Sequence, residues 1–182
     1  MANDACGNLK VVARNKETLD RIFKILSYND DEYCLYRCRD VQKNGEPFKD
    51  GDFWVQDFFV DGAWSCNPFF NHKDNPNEKL IIGYEKDEQG VDDFDKKIYG
   101  TAHFTNLCHI AKILDCGFEL YDNEPGCCFW EHFSCNHNGE LTCDESGKYE
   151  LVYKDDDDDN PTEEYDIDYY NDFAFSDEIY GE

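Results

Sequence analysis

The chain has 182 residues, which suits one domain with its own hydrophobic core. Its 42 Asp and Glu residues outnumber its 17 Lys and Arg residues, so the formal net charge is −25. A field of that sign repels DNA, RNA and anionic lipid, and it attracts cationic partners. The charge therefore argues against direct binding to nucleic acid or to a membrane surface, and it favours a basic protein partner.

The order of the amino acids gives no indication of export. Residues 1–10 contain no basic segment followed by an apolar stretch, so we expect no secretion signal. No apolar run approaches the roughly 18 residues that a membrane span requires. The ten cysteines are then expected to remain reduced, and the sequence predicts a soluble cytoplasmic protein.

The first half of the chain predicts strands around one helix. Residues 6–14 are rich in Val and Leu and predict a strand. Apolar side chains at three- and four-residue spacing predict a helix over residues 17–26. Aromatic and β-branched residues predict strands over 32–41 and 52–65, with breaks at the Asn44-Gly45 and Asp61-Gly62 pairs.

The second half continues with a short strand over residues 79–84, reached through a polar loop and followed by an acidic loop over 85–97. One apolar face predicts a second helix over residues 105–114, ended at Cys116-Gly117. The remaining apolar segments predict strands over 118–121, 127–135, 140–143 and 149–153. A hairpin turn is expected at Asn138-Gly139.

This order of elements predicts an α+β fold, in which a ferredoxin-like antiparallel sheet carries two helices on one face. That domain is expected to cover residues 1–153. Residues 154–182 form a separate acidic C-terminal tail in this prediction, because residues 155–182 contain 13 acids and no Lys or Arg. Aromatic residues alternate with these acids, which is unusual for a segment that only solvates the protein.

The tail is the predicted partner-binding site. Along an extended strand, carboxylates on the same side recur about every 7 Å, a spacing comparable to that of strand phosphates. Such a row can occupy an Arg- and Lys-lined groove that normally holds a nucleic acid, with aromatic rings replacing stacked bases. The candidate residues are Asp155, Asp156, Asp157, Asp158, Asp159, Glu163, Glu164, Tyr165, Asp166, Asp168, Tyr169 and Tyr170. The alternatives are a solvated disordered tail and a tail that orders around any basic partner.

The cysteines and histidines form no strong catalytic or metal-binding pattern. The sequence lacks a paired C-x-x-C, a G-x-S-x-G, a phosphate-binding glycine loop and an H-E-x-x-H helix. We therefore predict no enzymatic activity, no catalytic residues, no cofactor and no metal site. A zinc site built from Cys135, His137, Cys143 and one remote ligand is the alternative. Neighbours such as Glu131 and His132 point to opposite faces of a strand, so they make a poor catalytic pair.

Three groups of residues carry a resemblance to a known family. They are Cys6-Gly7-Asn8-Leu9-Lys10-Val11, then Gly62-Ala63-Trp64-Ser65, and then Glu124-Pro125-Gly126 leading into Phe129-Trp130-Glu131-His132 and Asn138-Gly139-Glu140. Over about residues 1–153 the chain resembles the YubB-type ferredoxin-like proteins of phages and plasmids. In size, charge and N-terminal sequence it is also similar to anti-CRISPR proteins that inhibit the RNA-guided DNA nuclease of type II-A systems.

The resemblance implies an inhibitor of a host defence nuclease in the cytoplasm of a bacterial host cell. Such a nuclease reads its short duplex motif with Arg side chains and holds DNA in basic channels, for which carboxylates are natural ligands. The expected function is therefore to block target DNA binding or cleavage by nucleic-acid mimicry. The alternatives are an inhibitor that clamps the catalytic domain through aromatic contacts, an adaptor for another basic defence protein, and a metal-binding enzyme.

Overall fold

The computed structural model describes residues 4–149, 151–152, 164–165 and 172–182. The strands in these ranges are β1 (Asp4–Ala13), β2 (Tyr33–Leu35), β3 (Cys38–Asp50), β4 (Phe53–Ala63), β5 (Lys79–Lys86), β6 (Asp92–Thr105), β7 (Cys116–Glu124), β8 (Phe129–Cys135), β9 (Leu141–Lys148), β10 (Leu151–Val152) and β11 (Glu164–Tyr165). The helices are α1 (Lys16–Leu26), α2 (Asn67–Asn71), α3 (Leu107–Leu114) and α4 (Ser176–Tyr180).

Six strands form the main sheet in the order β3-β4-β1-β7-β8-β9, and each neighbouring pair is antiparallel. The first face of this sheet is apolar, as the buried Leu9 and Val11 of β1 illustrate. The apolar stripes of α1 and α3 join the same cluster, with Ile22 and Ile110 fully buried. Burial of these large side chains contributes about 1.5–3 kcal/mol each and makes this face the main hydrophobic core.

The second face of the main sheet is more polar and carries the other set of alternating side chains. The C-terminal segment, residues 172–182, covers part of it. Ile179 and Tyr180 of α4 form a small cluster with Val12 of β1 and with Phe53 and Val55 of β4. Residues 172–182 thus cover one end of the second face of the main sheet.

The second sheet has the strand order β2-β6-β5. β2 runs parallel to the end of β6, where Tyr33 pairs with His103 and Leu35 with Thr105. Before His103, β6 pairs with β5 alone. Residues 79–102 therefore form a two-stranded β5–β6 ribbon with one end attached to the body of the protein.

The predicted ferredoxin-like α+β fold is wrong. The described residues are mostly β, with a six-stranded and a three-stranded sheet, and only about 18 % of them are helical. The main error concerns residues 85–97, which were predicted as an acidic loop although β6 begins at Asp92. Both faces of the ribbon are accessible to solvent, so β6 lacks the alternation of apolar and polar residues that marks a half-buried strand.

Some turn predictions were also wrong. β3 runs through Asn44-Gly45, and a register shift lies between Asn44 and Phe48. Gly45 has φ +78°, which suits a bulge as well as a turn. The β3–β4 turn lies instead at Gly51-Asp52, and Asp61-Gly62 lies inside β4. The hairpin turn at Asn138-Gly139 is confirmed, because this pair lies between β8 and β9 and Gly139 has φ +76°.

Two further expectations concern the whole chain. Among the helices of the described ranges, none has both the length and the apolar character needed to cross a lipid bilayer. The predicted boundary between residues 153 and 154 lies outside the described residues and stays a prediction.

Candidate functional site

Most of the predicted partner-binding residues lie outside the described part of the chain. These are Asp155, Asp156, Asp157, Asp158, Asp159, Glu163, Asp166, Asp168, Tyr169 and Tyr170. For Glu164 and Tyr165 the backbone is described, and it forms β11 against β10. Their role in partner binding stays a prediction.

The end of the predicted tail packs firmly against the main sheet. The Tyr180 hydroxyl donates a hydrogen bond to Asp115 Oδ1 at 2.5 Å and accepts one from Arg14 Nε at 3.2 Å. The ring of His137 stacks on the Tyr180 ring, with 4.4 Å between the ring centroids. An added Cβ on Gly117 would lie 2.3 Å from the Ile179 carbonyl oxygen, so only glycine allows this close approach. Residues 172–182 are therefore part of the folded domain.

A polar cluster lies on the second face of the main sheet, around His132 of β8. The His132 Nε2 atom lies 2.8 Å from Glu119 Oε1 of β7, and its Nδ1 atom lies 3.3 Å from Cys143 Sγ of β9. Glu145, two residues after Cys143 on the same strand, places Oε2 4.0 Å from His132 Nδ1. The Tyr121 ring stacks on the imidazole at a centroid distance of 3.9 Å. Three adjacent strands thus bring five functional side chains together.

The C-terminal segment closes one side of this cluster. The Ala174 N–H donates to Glu119 Oε2 at 2.9 Å, so the carboxylate of Glu119 is bonded through both oxygens. The Phe173 ring meets the Tyr121 ring edge-on at 5.2 Å, and Lys10 Nζ lies 4.7 Å from the centre of the Phe173 ring. Glu119 is consequently buried, although it lies on the more polar face.

The Cys143–His132–Glu119 arrangement has the connectivity of a nucleophile, a base and an orienting carboxylate. Its electrostatics oppose that function. Partial burial, together with the negative charges of Glu145, Glu119 and Asp144, raises the pKa of the Cys143 thiol to about 11. Catalytic cysteines require the opposite shift, since the thiolate is the nucleophile. Without a bound cation, Cys143 is therefore a protonated thiol at neutral pH.

The Cys and His sets considered from the sequence do not assemble as proposed. His137 Nδ1 lies 2.7 Å from the Tyr180 carbonyl oxygen, and Cys135 is a buried thiol on the first face. Cys143 instead meets His132. Glu131 and His132 point to opposite faces, as predicted for neighbours on a strand.

Residues from the resemblance motifs contact or belong to a pair of buried acids on the first face of the main sheet. Asp122 of β7 and Glu131 of β8 are cross-strand partners, and both are buried. Glu131 accepts hydrogen bonds from the Ser65 hydroxyl at 2.8 Å and from the Cys66 N–H at 3.0 Å. Burial and the charge of Glu131 raise the pKa of Asp122 well above its usual range. An added Cβ on Gly7 would lie 2.6 Å from the Asp122 Cβ, so glycine at that position makes room for the pair.

The β5–β6 ribbon exposes large apolar side chains. Phe94 is 68 % exposed, and the other exposed apolar side chains of the ribbon are Ile81, Ile82, Val91, Ile98 and Tyr99. At the base of the ribbon, a groove of about 470 Å³ lies between an apolar wall and a polar loop. Leu80, Ile82 and Tyr99 line the apolar wall, and residues 28–31 form the loop.

Sequence reasoning missed the His132 cluster because its members come from three different strands and follow no recognised spacing. The register of β7, β8 and β9 places Tyr121 opposite His132 and His132 opposite Glu145. The Cys143-x-Glu145 spacing on a strand was the available signal, since side chains two residues apart share a face. The partners on β7 cannot be inferred without the strand register.

Comparison with known proteins gives no relative. No protein-family model matches the chain, and no curated protein or solved structure is significantly similar to it.

Proposed function

We propose that this protein acts by binding a basic, nucleic-acid-handling protein, and that the guide-loaded type II-A CRISPR nuclease is that partner. The observation that carries the basic partner is the set of exposed apolar side chains on the β5–β6 ribbon in a chain of net charge −25, and the choice of this nuclease rests on the resemblance to anti-CRISPR proteins. Exposed apolar side chains with polar surroundings are typical of a protein–protein contact. The high negative charge selects a cationic partner and accelerates the encounter.

The ribbon is suited to inserting into a cleft of another protein. Before His103 it is only two strands wide, and such a hairpin is marginally stable on its own in water. Its apolar residues, Phe94 at 68 % exposure among them, remain accessible instead of closing a core. Hot-spot residues at the centre of an interface contribute about 2 kcal/mol or more to binding, and large aromatic residues are enriched among them. A contact through the ribbon would bury these side chains.

The groove at the base of the ribbon supports a basic partner. Its polar loop includes Asp30 and Asp31, and Arg21 already binds Asp30 at 3.2 Å. Asp31 is exposed beside the apolar wall of Leu80, Ile82 and Tyr99. An Arg or Lys side chain of a partner can place its alkyl chain on this wall and its charge beside the Asp31 carboxylate.

Two modes of inhibition follow from different parts of the chain. The ribbon supports an inhibitor that clamps the nuclease through apolar and aromatic contacts. The five aspartates 155–159 support mimicry of nucleic acid. Salt separates the two modes, because dense charge pairing weakens as ionic strength rises whereas an aromatic contact is less sensitive.

The test measures target DNA binding and cleavage by the guide-loaded nuclease at low and high salt. Phe94→Ser reports on the ribbon, and its matched control is Phe48→Ser, because Phe48 is an exposed phenylalanine of β3 at 48 %. Replacement of the aspartates 155–159 by Asn removes their charge and keeps the chain length. Circular dichroism checks that each variant is folded.

We expect Phe94→Ser to weaken inhibition about 30-fold, which corresponds to the loss of a contact contributing about 2 kcal/mol. The Phe48→Ser control should inhibit like the parent protein. Loss of inhibition only in the Asn variant, with DNA binding restored at high salt, would favour mimicry over the ribbon. Failure of the parent protein to bind the nuclease would reject this partner and turn the search to other basic defence proteins.

A further inference from the structure

We propose that His132, Cys143 and Glu145 form a binding site for a divalent transition-metal ion, with zinc as the best fit, and that Glu119 orients His132 for this role. Among the described residues, these three form the group of potential metal ligands whose ligand atoms all lie within 4.8 Å of one another. The site is separate from the β5–β6 ribbon, and the inference does not depend on the proposed function.

The distances between the ligand atoms suit a tetrahedral ion. Zinc bonds of about 2.0–2.3 Å at tetrahedral angles place ligand atoms roughly 3.4–3.6 Å apart. His132 Nδ1 lies 3.3 Å from Cys143 Sγ and 4.0 Å from Glu145 Oε2. The Glu145 side chain is exposed, so it is free to rotate towards the other two ligand atoms when an ion binds.

The contacts of His132 suit a metal ligand. Glu119 accepts from the Ala174 N–H at one oxygen, and its other oxygen lies 2.8 Å from His132 Nε2, where it can accept the imidazole N–H. The lone pair of Nδ1 then faces Cys143 and Glu145. A buried carboxylate that binds the distal N–H of a histidine ligand is the usual outer partner of a zinc site. The Tyr121 ring, stacked on the imidazole, fixes the plane of the ring.

The charges around Cys143 favour a cation. Glu119 on β7 and Glu145 on β9 lie on the same face as the thiol, Asp144 is its neighbour along β9, and Lys10 on β1 pairs in register with Glu119. Metal binding removes the proton of the Cys143 thiol to solvent as the sulfur–metal bond forms, so one proton is released per ion. The resulting thiolate, imidazole and carboxylate set suits zinc and related transition metals, and it is a poor site for Mg²⁺ or Ca²⁺, which prefer oxygen ligands.

Three protein ligands leave one tetrahedral position for a water molecule or for a donor atom of a partner. The site also has a structural consequence, because its ligands come from the adjacent strands β8 and β9 and β9 is the last strand in the main sheet. A bound ion would cross-link this strand to its neighbour.

The experiment uses the full chain and two probes, Zn²⁺ in calorimetric titration and Co²⁺ in absorption spectroscopy. We expect one ion per chain and a thiolate-to-cobalt charge-transfer band, which reports a cysteine ligand directly. Cys143→Ser should abolish the band, and Glu119→Gln should keep the band but weaken zinc binding about 10- to 100-fold. Cys127→Ser is the matched control, because Cys127 is an exposed cysteine outside the cluster.

The proposal is overturned if the parent protein shows no thiolate band, or if the band survives in Cys143→Ser. Equal zinc affinity for Glu119→Gln and the parent protein would remove the orienting role of Glu119. Cys143 is half-buried near the edge of the sheet, and circular dichroism of the metal-free variants separates loss of the site from loss of the fold.

Discussion

Ile179→Ala is expected to destabilise the whole domain, although Ile179 lies in the segment that the sequence predicts as a tail. Its side chain is 3 % exposed and packs in the small cluster with Val12, Phe53 and Val55. Truncation of a buried isoleucine to alanine costs about 2–5 kcal/mol. The cluster is small and lies at the end of the chain, so the site can collapse partly, and we expect the lower part of this range, about 2–3 kcal/mol.

Urea unfolding followed by tryptophan fluorescence measures this loss. With an m-value of about 2 kcal/mol/M, the midpoint should fall by roughly 1–1.5 M. The matched control is Phe175→Ala, because Phe175 belongs to the same segment but is 75 % exposed. We expect the control to change stability by less than about 0.5 kcal/mol. Equal midpoints for Ile179→Ala and the parent protein would show that residues 172–182 do not contribute to the core.

Three further outcomes test other parts of the structure. Asp122→Asn should be more stable than the parent protein, by an amount that grows as the pH rises above about 4. The pKa of Asp122 is raised in the folded state, so the parent loses stability between the unfolded-state pKa and the folded-state pKa. Urea unfolding across pH measures the difference, and a pH-independent difference would contradict this reasoning. Gly117→Ala should destabilise by about 1–3 kcal/mol, since its Cβ would meet the backbone of Ile179, and thermal unfolding checks the loss. Alkylation of Cys143 by iodoacetamide, followed by mass spectrometry, should keep accelerating up to about pH 11 in metal-free protein, and a midpoint near the ordinary thiol pKa of about 8.5 would show that burial and the carboxylates do not raise the pKa of this thiol.

The parts of the fold that the sequence predicted correctly are those with one buried face. α1 and α3 carry apolar side chains at helical spacing, and β1 alternates buried residues such as Leu9 and Val11 with residues of the second face. In these elements the periodicity reflects burial directly. Prediction failed for the ribbon, where both faces of β6 meet solvent, and for α4, where only five residues form the helix and acids interrupt the apolar pattern.

The candidate sites were harder to predict than the core, for a physical reason. The His132 cluster depends on the register of three strands, and one residue of slip would turn His132 towards the first face. The acid pair depends on Gly7, because a side chain there would meet Asp122. Neither requirement leaves a local pattern in the sequence. The resemblance motifs did contain Gly7 and Glu131, whose roles in this structure are to build the acid pair.

The packing of residues 172–182 changes how the acidic run must be tested. A protein ending at residue 154 would lose the five aspartates 155–159 and also Ile179 and Tyr180, which close the small cluster on the second face. It would also remove the Ala174 N–H that binds Glu119 and so disturb the His132 cluster. Loss of inhibition by such a truncation could then arise from charge, from stability or from the metal site.

Replacement of the five aspartates by Asn changes the charge by five units and leaves these contacts in place. If mimicry is correct, the Asn variant loses inhibition at low salt while its urea midpoint stays within about 0.3 M of the parent value, a shift of roughly 0.6 kcal/mol. If inhibition persists at the parent level, electrostatic mimicry by this run is excluded, and the ribbon becomes the remaining contact surface.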